Sequence, residues 1–330
     1  MAACATRSAT RKAASSSSSD DASRCLMLAL SHDELGVIID GLADPLQPVV
    51  AVALSSTCLG LRTPLRAAIA VLKERHAKAV ALLRKAGCYD AGARDAAVHH
   101  DQGRKGLMCS EVRGFKGLNF DGNVLSYGLT VDDMATLGML LLWLPKLRFL
   151  EIHNFGSSSH LTPIQLQGIQ ALCEGLGRGA VPSLEVLSLH KCDQLGLEGI
   201  EVVNGALRRG AFPKLELVGL HGCRIGIRGM AALAPTLRKL PALKILYVGG
   251  NDLGVEGFDS LMADLDKNDF KTLKGLYLHD NNLGDADCTK LIRALRAGAL
   301  PMLQAMTWGR DHASEVAEEA VQVALAARKV

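Results

Sequence analysis

LKILYVGGNDLG at residues 243–254 and LKGLYLHDNNLG at residues 273–284 are two copies of one phrase. The first places Leu243, Leu246, Val248, Asn251, Leu253 and Gly254 where the second places Leu273, Leu276, Leu278, Asn281, Leu283 and Gly284. Within each phrase the second and third apolar anchors are two residues apart, the alternation of a strand that buries one face. The asparagine brings two donors and an acceptor to a tight turn. The glycine after the last leucine lets the chain bend into the next element.

The phrase recurs on both sides of this pair. Phe115, Leu118, Phe120 and Asn123 open a first copy, and Leu147, Leu150, Ile152 and Phe155 a second. Leu184, Leu187, Leu189 and Cys192 open a third, and Leu215, Val218, Leu220 and Cys223 a fourth. After the central pair, Leu303, Met306, Trp308 and Asp311 open a weaker seventh. The starts lie 28 to 37 residues apart, which leaves room for a full helix between strands. The inward faces of those helices are Met134, Leu137, Leu141 and Leu144; Ile169, Leu172 and Leu176; Met230, Leu233, Leu237 and Leu240; and Leu261 with Leu265. Pro145, Pro182, Pro213, Pro241 and Pro301 stop the preceding helix. Gly196, Gly226, Gly254 and Gly284 are expected to turn the chain into the next one.

These residues resemble leucine-rich repeats, and their length resembles the ribonuclease-inhibitor-like type. The resemblance implies an α/β fold: a right-handed solenoid with a parallel concave sheet and convex helices. It also implies that Cys192 and Cys223, standing in the asparagine place, are structural rather than reactive. The repeats span residues 115–311, about seven copies, and residues 312–330 form a C-terminal capping helix with Val316, Ala320, Val321 and Leu325 inward.

Before the repeats, residues 1–24 form an Ala/Ser-rich tail expected to be disordered. In residues 25–62, Ser31 and Glu34 make a capping box, Leu35, Ile38 and Leu42 share a helical face, and Pro45 ends that helix. Leu30, Ser31, Glu34, Leu35, Ile38, Leu42, Pro45, Val52 and Cys58 together resemble an F-box, with Ser31 where that family favours Pro and Leu61 where it often has Trp. The resemblance implies that Leu30, Glu34, Leu35, Ile38, Leu42 and Pro45 dock a Skp-type adaptor of a cullin-RING ubiquitin ligase. The other reading is a helical cap over the first repeat. Residues 63–114 hold one amphipathic helix, from Pro64 to about Gly87, and a linker. That helix has a basic face (Arg66, Lys73, Arg75, Lys78, Arg84, Lys85), read as solvated because no aromatics interleave it. His99, His100 and Asp101 read as loop, since no third metal ligand lies at a usable spacing.

Composition narrows the function classes. A net charge of +3 does not argue for nucleic acid. Nine cysteines without regular spacing do not make a disulfide framework. No run reaches the length of a membrane span. The expected location is cytoplasmic or nuclear, with Arg7, Arg11 and Lys12 permitting an organelle transit peptide as the less favoured alternative. Gly175-Leu176-Gly177-Arg178-Gly179 follows a helix rather than a strand, so it is read as a helix stop, not a phosphate loop. No catalytic set, metal centre or cofactor is expected.

The binding surface is expected where residues between the anchors face outward on the concave sheet. One column there runs Asn119, Glu151, Ser188, Gly219, Tyr247, Tyr277, Thr307, and its neighbour Asp121, His153, His190, His221, Gly249, His279, Gly309. A third holds Lys191, Asp280 and Arg310, and Phe149 adds an aromatic anchor. The histidines admit three readings: inherited polar positions, a pH-sensitive partner contact, or a metal site with Asp121 as a fourth group. The chain therefore reads as a non-enzymatic protein-binding module. In one version it is the substrate-recognition subunit of a cullin-RING ubiquitin ligase; in the other it is a scaffold or regulator of ribonuclease-inhibitor-like or GTPase-regulating kind.

Overall fold

The computed structural model describes residues 44–57, 65–89, 104–105, 117–121, 129–153, 166–193, 195–266, 268–308 and 312–328. The chain divides into two compact units, Met1–His76 and Ala77–Val330.

The first unit contains helix α1 (Val49–Thr57) and the start of helix α2 (Arg66–Lys85). Asp44 Oδ1 accepts the Leu46 N–H at 2.9 Å, closing a turn in which Pro45 is buried. His76 Nδ1 lies 2.8 Å from the Pro45 carbonyl. Leu46 and Ala51 are buried, whereas Val49 is 72% exposed. Leu30, Glu34, Leu35, Ile38 and Leu42 lie outside the described residues. Helix α2 buries Leu65, Ile69, Leu72 and Leu83 as its spacing predicts, with Ala79 and Leu82 buried in place of half-buried Val80. The helix ends at Lys85, and Gly87 belongs to a strand rather than to the helix stop.

In the second unit, strands and helices alternate. After β1 (Gly87–Tyr89), β2 (Arg104–Lys105) and β3 (Gly117–Asp121) come α3 (Val131–Leu141), β4 (Phe149–His153), α4 (Leu166–Cys173), β5 (Val186–His190) and α5 (Gly196–Arg208). Then follow β6 (Leu217–Gly219), α6 (Gly226–Lys239), β7 (Ile245–Tyr247), α7 (Gly254–Met262), β8 (Gly275–Tyr277), α8 (Asp285–Arg296), β9 (Ala305–Thr307) and α9 (Glu315–Ala326). The sheet order is β2-β1-β3-β4-β5-β6-β7-β8-β9. Strands β3 to β9 pair in parallel, each with its sequence neighbour, so corresponding repeat positions stand side by side: Leu150 on Leu187, Leu187 on Val218, Leu246 on Leu276. Strands β1 and β2 pair antiparallel at the leading edge, in a stretch whose sequence reads as loop.

The anchors point into one core. Leu150, Ile152, Leu187, Leu189, Val218, Leu246, Leu276 and Met306 are all at most 5% exposed. They meet the helical residues Met134, Leu137, Leu141, Ile169, Leu172, Met230, Leu233, Leu237 and Leu261, which are buried as expected. Burying a leucine contributes about 1.5–3 kcal/mol, so the repeated anchors dominate the cohesion of this unit. Arginine side chains join the repeats. Arg209 donates to the Leu176 and Cys173 carbonyls at 3.0 and 3.3 Å, satisfying the free end of α4, and Arg238 does the same for Leu261 and Ser260 of α7.

The asparagine position works as a ladder. Asn251 Oδ1 accepts the Cys223 N–H at 2.8 Å, and its Nδ2 donates to the Leu220, Val248 and Gly249 carbonyls at 2.7, 2.8 and 3.0 Å. Asn281 repeats the pattern one strand on, accepting the Asn251 N–H at 2.9 Å. Where cysteine replaces asparagine, the thiol keeps one of these bonds: Cys223 Sγ donates to the Leu189 carbonyl at 3.0 Å. Gly196, Gly226 and Gly254 take positive φ at the helix entrances. Gly284 departs from the expectation. Its φ is −132°, it pairs with His312, and its N–H bonds the Asp287 carboxylate at 3.1 Å, so an extended cap replaces the left-handed one.

Helix α9 buries Val321 and Leu325. Val316 and Ala320 do not point inward: Val316 is 77% exposed and Ala320 is exposed. The helix rests instead on the face carrying Val321, Ala324 and Leu325, with Gln322 Nε2 donating to the Met306 carbonyl on β9 at 3.2 Å.

Candidate binding surface

Among the described residues nothing packs over the sheet face opposite the helices, and its side chains are set by strand alternation. On β4 and β5 buried and half-buried residues alternate, with Phe149, Glu151, His153 and Val186, Ser188, His190 on the open side. Parallel register stacks these into columns. One holds Phe149, Val186, Leu217 and Ile245, all half-buried. Of this column only Phe149 is among the sequence-predicted site residues; Val186, Leu217 and Ile245 are not. Its signal in the sequence is the third letter of each repeat, which is apolar at Phe149, Val186, Leu217 and Ile245.

The next column contains Glu151, Ser188, Gly219, Tyr247 and Tyr277 in pairing register. The Tyr247 and Tyr277 rings stack at 4.2 Å with 21° between planes. Burial, aided by Tyr277 and a hydrogen bond to it, pushes the Tyr247 phenol up to about 12. A side chain at Gly219 would press on Ser188 Oγ at 2.8 Å, so glycine keeps this column flat between serine and the tyrosines.

The histidines form the third column. His153 and His190 are strand partners, and the register runs on past the short strands. Lys191 N–H bonds the His221 carbonyl at 2.8 Å, and Gly250 N–H bonds the His279 carbonyl at 2.8 Å. Ring centroids are 5.3 Å apart for His153–His190 and 4.6 Å for His190–His221, the latter nearly parallel at 18°. The repeat alignment leaves a gap at Gly249, yet His279 lies 4.9 Å from His221. The His279 ring covers Gly249: a Cβ there would sit 2.6 Å from its Nε2. Glycine thus closes the row into four consecutive imidazoles, a feature the linear alignment does not reveal.

Burial favours the neutral form of the two middle rings. Burial pushes His190 down to about 4, with His221, His153 and Lys191 acting in the same direction. Burial also lowers His221, with His279 and Lys191 adding to it, while Asp280 and the Gly249 backbone pull partly back. His153 Nε2 is 4.0 Å from Glu151. Stacked rings present edges side by side and do not converge on a point. Among the described residues no group of three or more His, Cys, Asp or Glu is placed to hold a metal ion.

Lys191 and Asp280 occupy a left-handed turn position just beyond the histidines, with φ of 52° and 56°, where Gly222 and Gly250 also sit. Both side chains are exposed beside the row. Arg310 lies outside the described residues. A charged column borders the apolar one on its other side. Arg148 donates to Glu185 from Nε at 2.7 Å and from its terminal nitrogen, and Lys244 Nζ bonds Glu216 at 2.6 Å. Arg148 also lies over the Phe149 ring at 5.4 Å. The open face is thus an apolar and aromatic centre between a charged edge and an imidazole edge, the layout of a recognition surface.

No family model matches the chain, and no curated protein sequence matches it. Solved structures with similar backbones include the actin-binding site 2 of leiomodin-1, at 15% identity over 50% of this chain and 87% of that one, with a TM-score of 0.39. Another is TLR13 in complex with ssRNA13, at 16% identity over 65% of this chain and 32% of that one, TM-score 0.30. An internalin, InlF from Listeria monocytogenes, is 12% identical over 67% of this chain and 88% of that one, TM-score 0.24. The leucine-rich-repeat architecture rests on the chain's own register and asparagine ladder. None of the helices among the described residues is long and apolar enough to cross a membrane.

Proposed function

We propose that this chain is a protein-recognition module that holds its partner on the open sheet face. The observation that carries this is the column Phe149, Val186, Leu217 and Ile245, half-buried and not covered by any element of the described residues, running beside the stacked Tyr247–Tyr277 pair. Aromatic anchors flanked by apolar contacts and rimmed by charge supply most binding energy in protein interfaces. Partners captured by the full chain and identified by mass spectrometry should be lost with the double substitution Tyr247→Ala, Tyr277→Ala. They should be retained with Ile227→Glu, on the helical side, where Ile227 is 43% exposed. Equal loss in both variants, or retention in both, would place recognition elsewhere.

The F-box resemblance supports a more specific version: residues 25–62 dock a Skp-type adaptor and the repeats select a substrate for a ubiquitin ligase. In that version Leu35→Asp with Ile38→Asp abolishes adaptor recovery without lowering the melting temperature of the repeats. The scaffold reading predicts lower thermal stability and no adaptor in either form.

A further inference from the structure

Four imidazoles stand in one row, His153, His190, His221 and His279, with neighbouring centroids 4.6 to 5.3 Å apart. Each like charge added at such spacing opposes the next. The row therefore resists filling with protons by itself. A line of carboxylates laid against it removes that repulsion and supplies a counter-charge to each ring. Among the described residues few charged groups lie near the row. Lys191 and Asp280 stand at its edge, Glu151 lies beside His153, Asp121 is the register partner of His153, and Arg224 is 3.9 Å from Asp193 across the neighbouring turns. On its inner side lies the tyrosine pair, in which one hydroxyl bonds the other, so that one phenolic O–H of the pair remains as a donor. Phenol and imidazolium both donate hydrogen bonds to carboxylates.

Resting on the open face as the recognition surface, we propose that the histidine row is a site for an extended, carboxylate-rich peptide segment, taken up together with protons. In the free row burial and neighbouring imidazoles hold His190 and His221 below the ordinary imidazole range. The bound row is an imidazolium ladder matched to acidic side chains. Each proton taken up on binding strengthens affinity about tenfold per pH unit of acidification while that proton is absent from the free protein. Gly249 is part of the device, because any side chain there displaces His279 from the row.

The test uses the full chain with a fluorescein-labelled hexaglutamate peptide as the probe and hexaglutamine as control. Affinities are read at pH 5.5 and 7.5, and titration calorimetry in two buffers of different ionisation enthalpy counts protons. Hexaglutamate should bind at pH 5.5 at least tenfold more tightly than at pH 7.5, with a net uptake of one proton or more, and hexaglutamine should not bind. His190→Gln with His221→Gln should lower binding at pH 5.5 about tenfold and abolish proton uptake while leaving thermal unfolding cooperative. Gly249→Ala should give an intermediate loss. No hexaglutamate binding at pH 5.5, binding indifferent to pH, or binding unchanged in the double histidine variant overturns the proposal. If any of these occurs while captured partners still depend on Tyr247 and Tyr277, the open-face reading stands and the acidic segment alone is rejected. If captured partners ignore the tyrosines as well, both fall.

Discussion

At the scale of single residues, the chain places polar atoms where the repeat leaves backbone unsatisfied. Asn251 serves an N–H of the preceding repeat and carbonyls of both. Replacing it by alanine buries those groups unpaired at about 1–3 kcal/mol for each fully desolvated group, so Asn251→Ala should cost about 2–4 kcal/mol in urea unfolding. Asn251→Cys should cost less, because Cys223 shows that a thiol retains the bond to the preceding carbonyl. Equal losses would mean that the cysteines contribute only bulk. His190 makes a different prediction. Its folded pKa of about 4 lies below the ordinary 6.5, so between these values the native state binds fewer protons than the unfolded chain. Its contribution is therefore intact above pH 6.5 and is lost as pH falls towards 4. Discounted for the ring's partial exposure, the loss is about 1–2 kcal/mol. Urea midpoints measured at pH 7 and pH 4.5 should converge partly in His190→Gln relative to the parent chain. A parent chain with the same stability at both values, after allowance for carboxylates elsewhere, would exclude this titration.

At the scale of elements, local spacing carried most of the fold. The anchors of β4 to β9, the inward faces of α3, α4 and α6, and the asparagine ladder are all encoded within about twelve consecutive residues, and the observed burial follows them. What was not legible depended on neighbours distant in sequence. Strands β1 and β2 are two or three residues long, too short for alternation to register, and exist because β3 offers an edge. Helix α9 carries two apolar stripes, one through Val316, Ala320 and Val323 and one through Val321, Ala324 and Leu325. Periodicity cannot choose between them; packing on α8 and β9 selects the second. The binding columns were legible as positions, since register follows from the repeat. Their contacts were not. The approach of His279 to His221 depends on a ring leaning over Gly249, and the alignment of Val186, Leu217 and Ile245 with Phe149 depends on strand register.

At the scale of the repeat array, stability passes between nearest neighbours, so its ends carry consequences that interior positions do not. Strand β9 is the last of the sheet. Behind it lie Trp308, Met306 and Leu303, at most 4% exposed, with the Trp308 ring 5.5 Å from Phe258. Helix α9 closes this end in two ways. Val321 and Leu325 cover apolar surface, and Gln322 occupies the Met306 carbonyl, one of the groups through which a foreign strand would extend the sheet. Ser314 adds an anchor, its N–H and hydroxyl bonding the Asp285 carboxylate at 2.6 and 3.0 Å. Ending the chain after residue 312 removes all three. The expected result is a fall in melting temperature together with concentration-dependent association. Gln322→Ala alone removes one exposed-edge bond and should cost only about 0.5–1.5 kcal/mol while raising association measurably by light scattering. Leu325→Ala removes buried methyl groups and should cost about 2–5 kcal/mol with little effect on association below the unfolding transition. If the two variants show the same balance of stability loss and association, α9 acts only as apolar cover and the carbonyl it occupies is incidental.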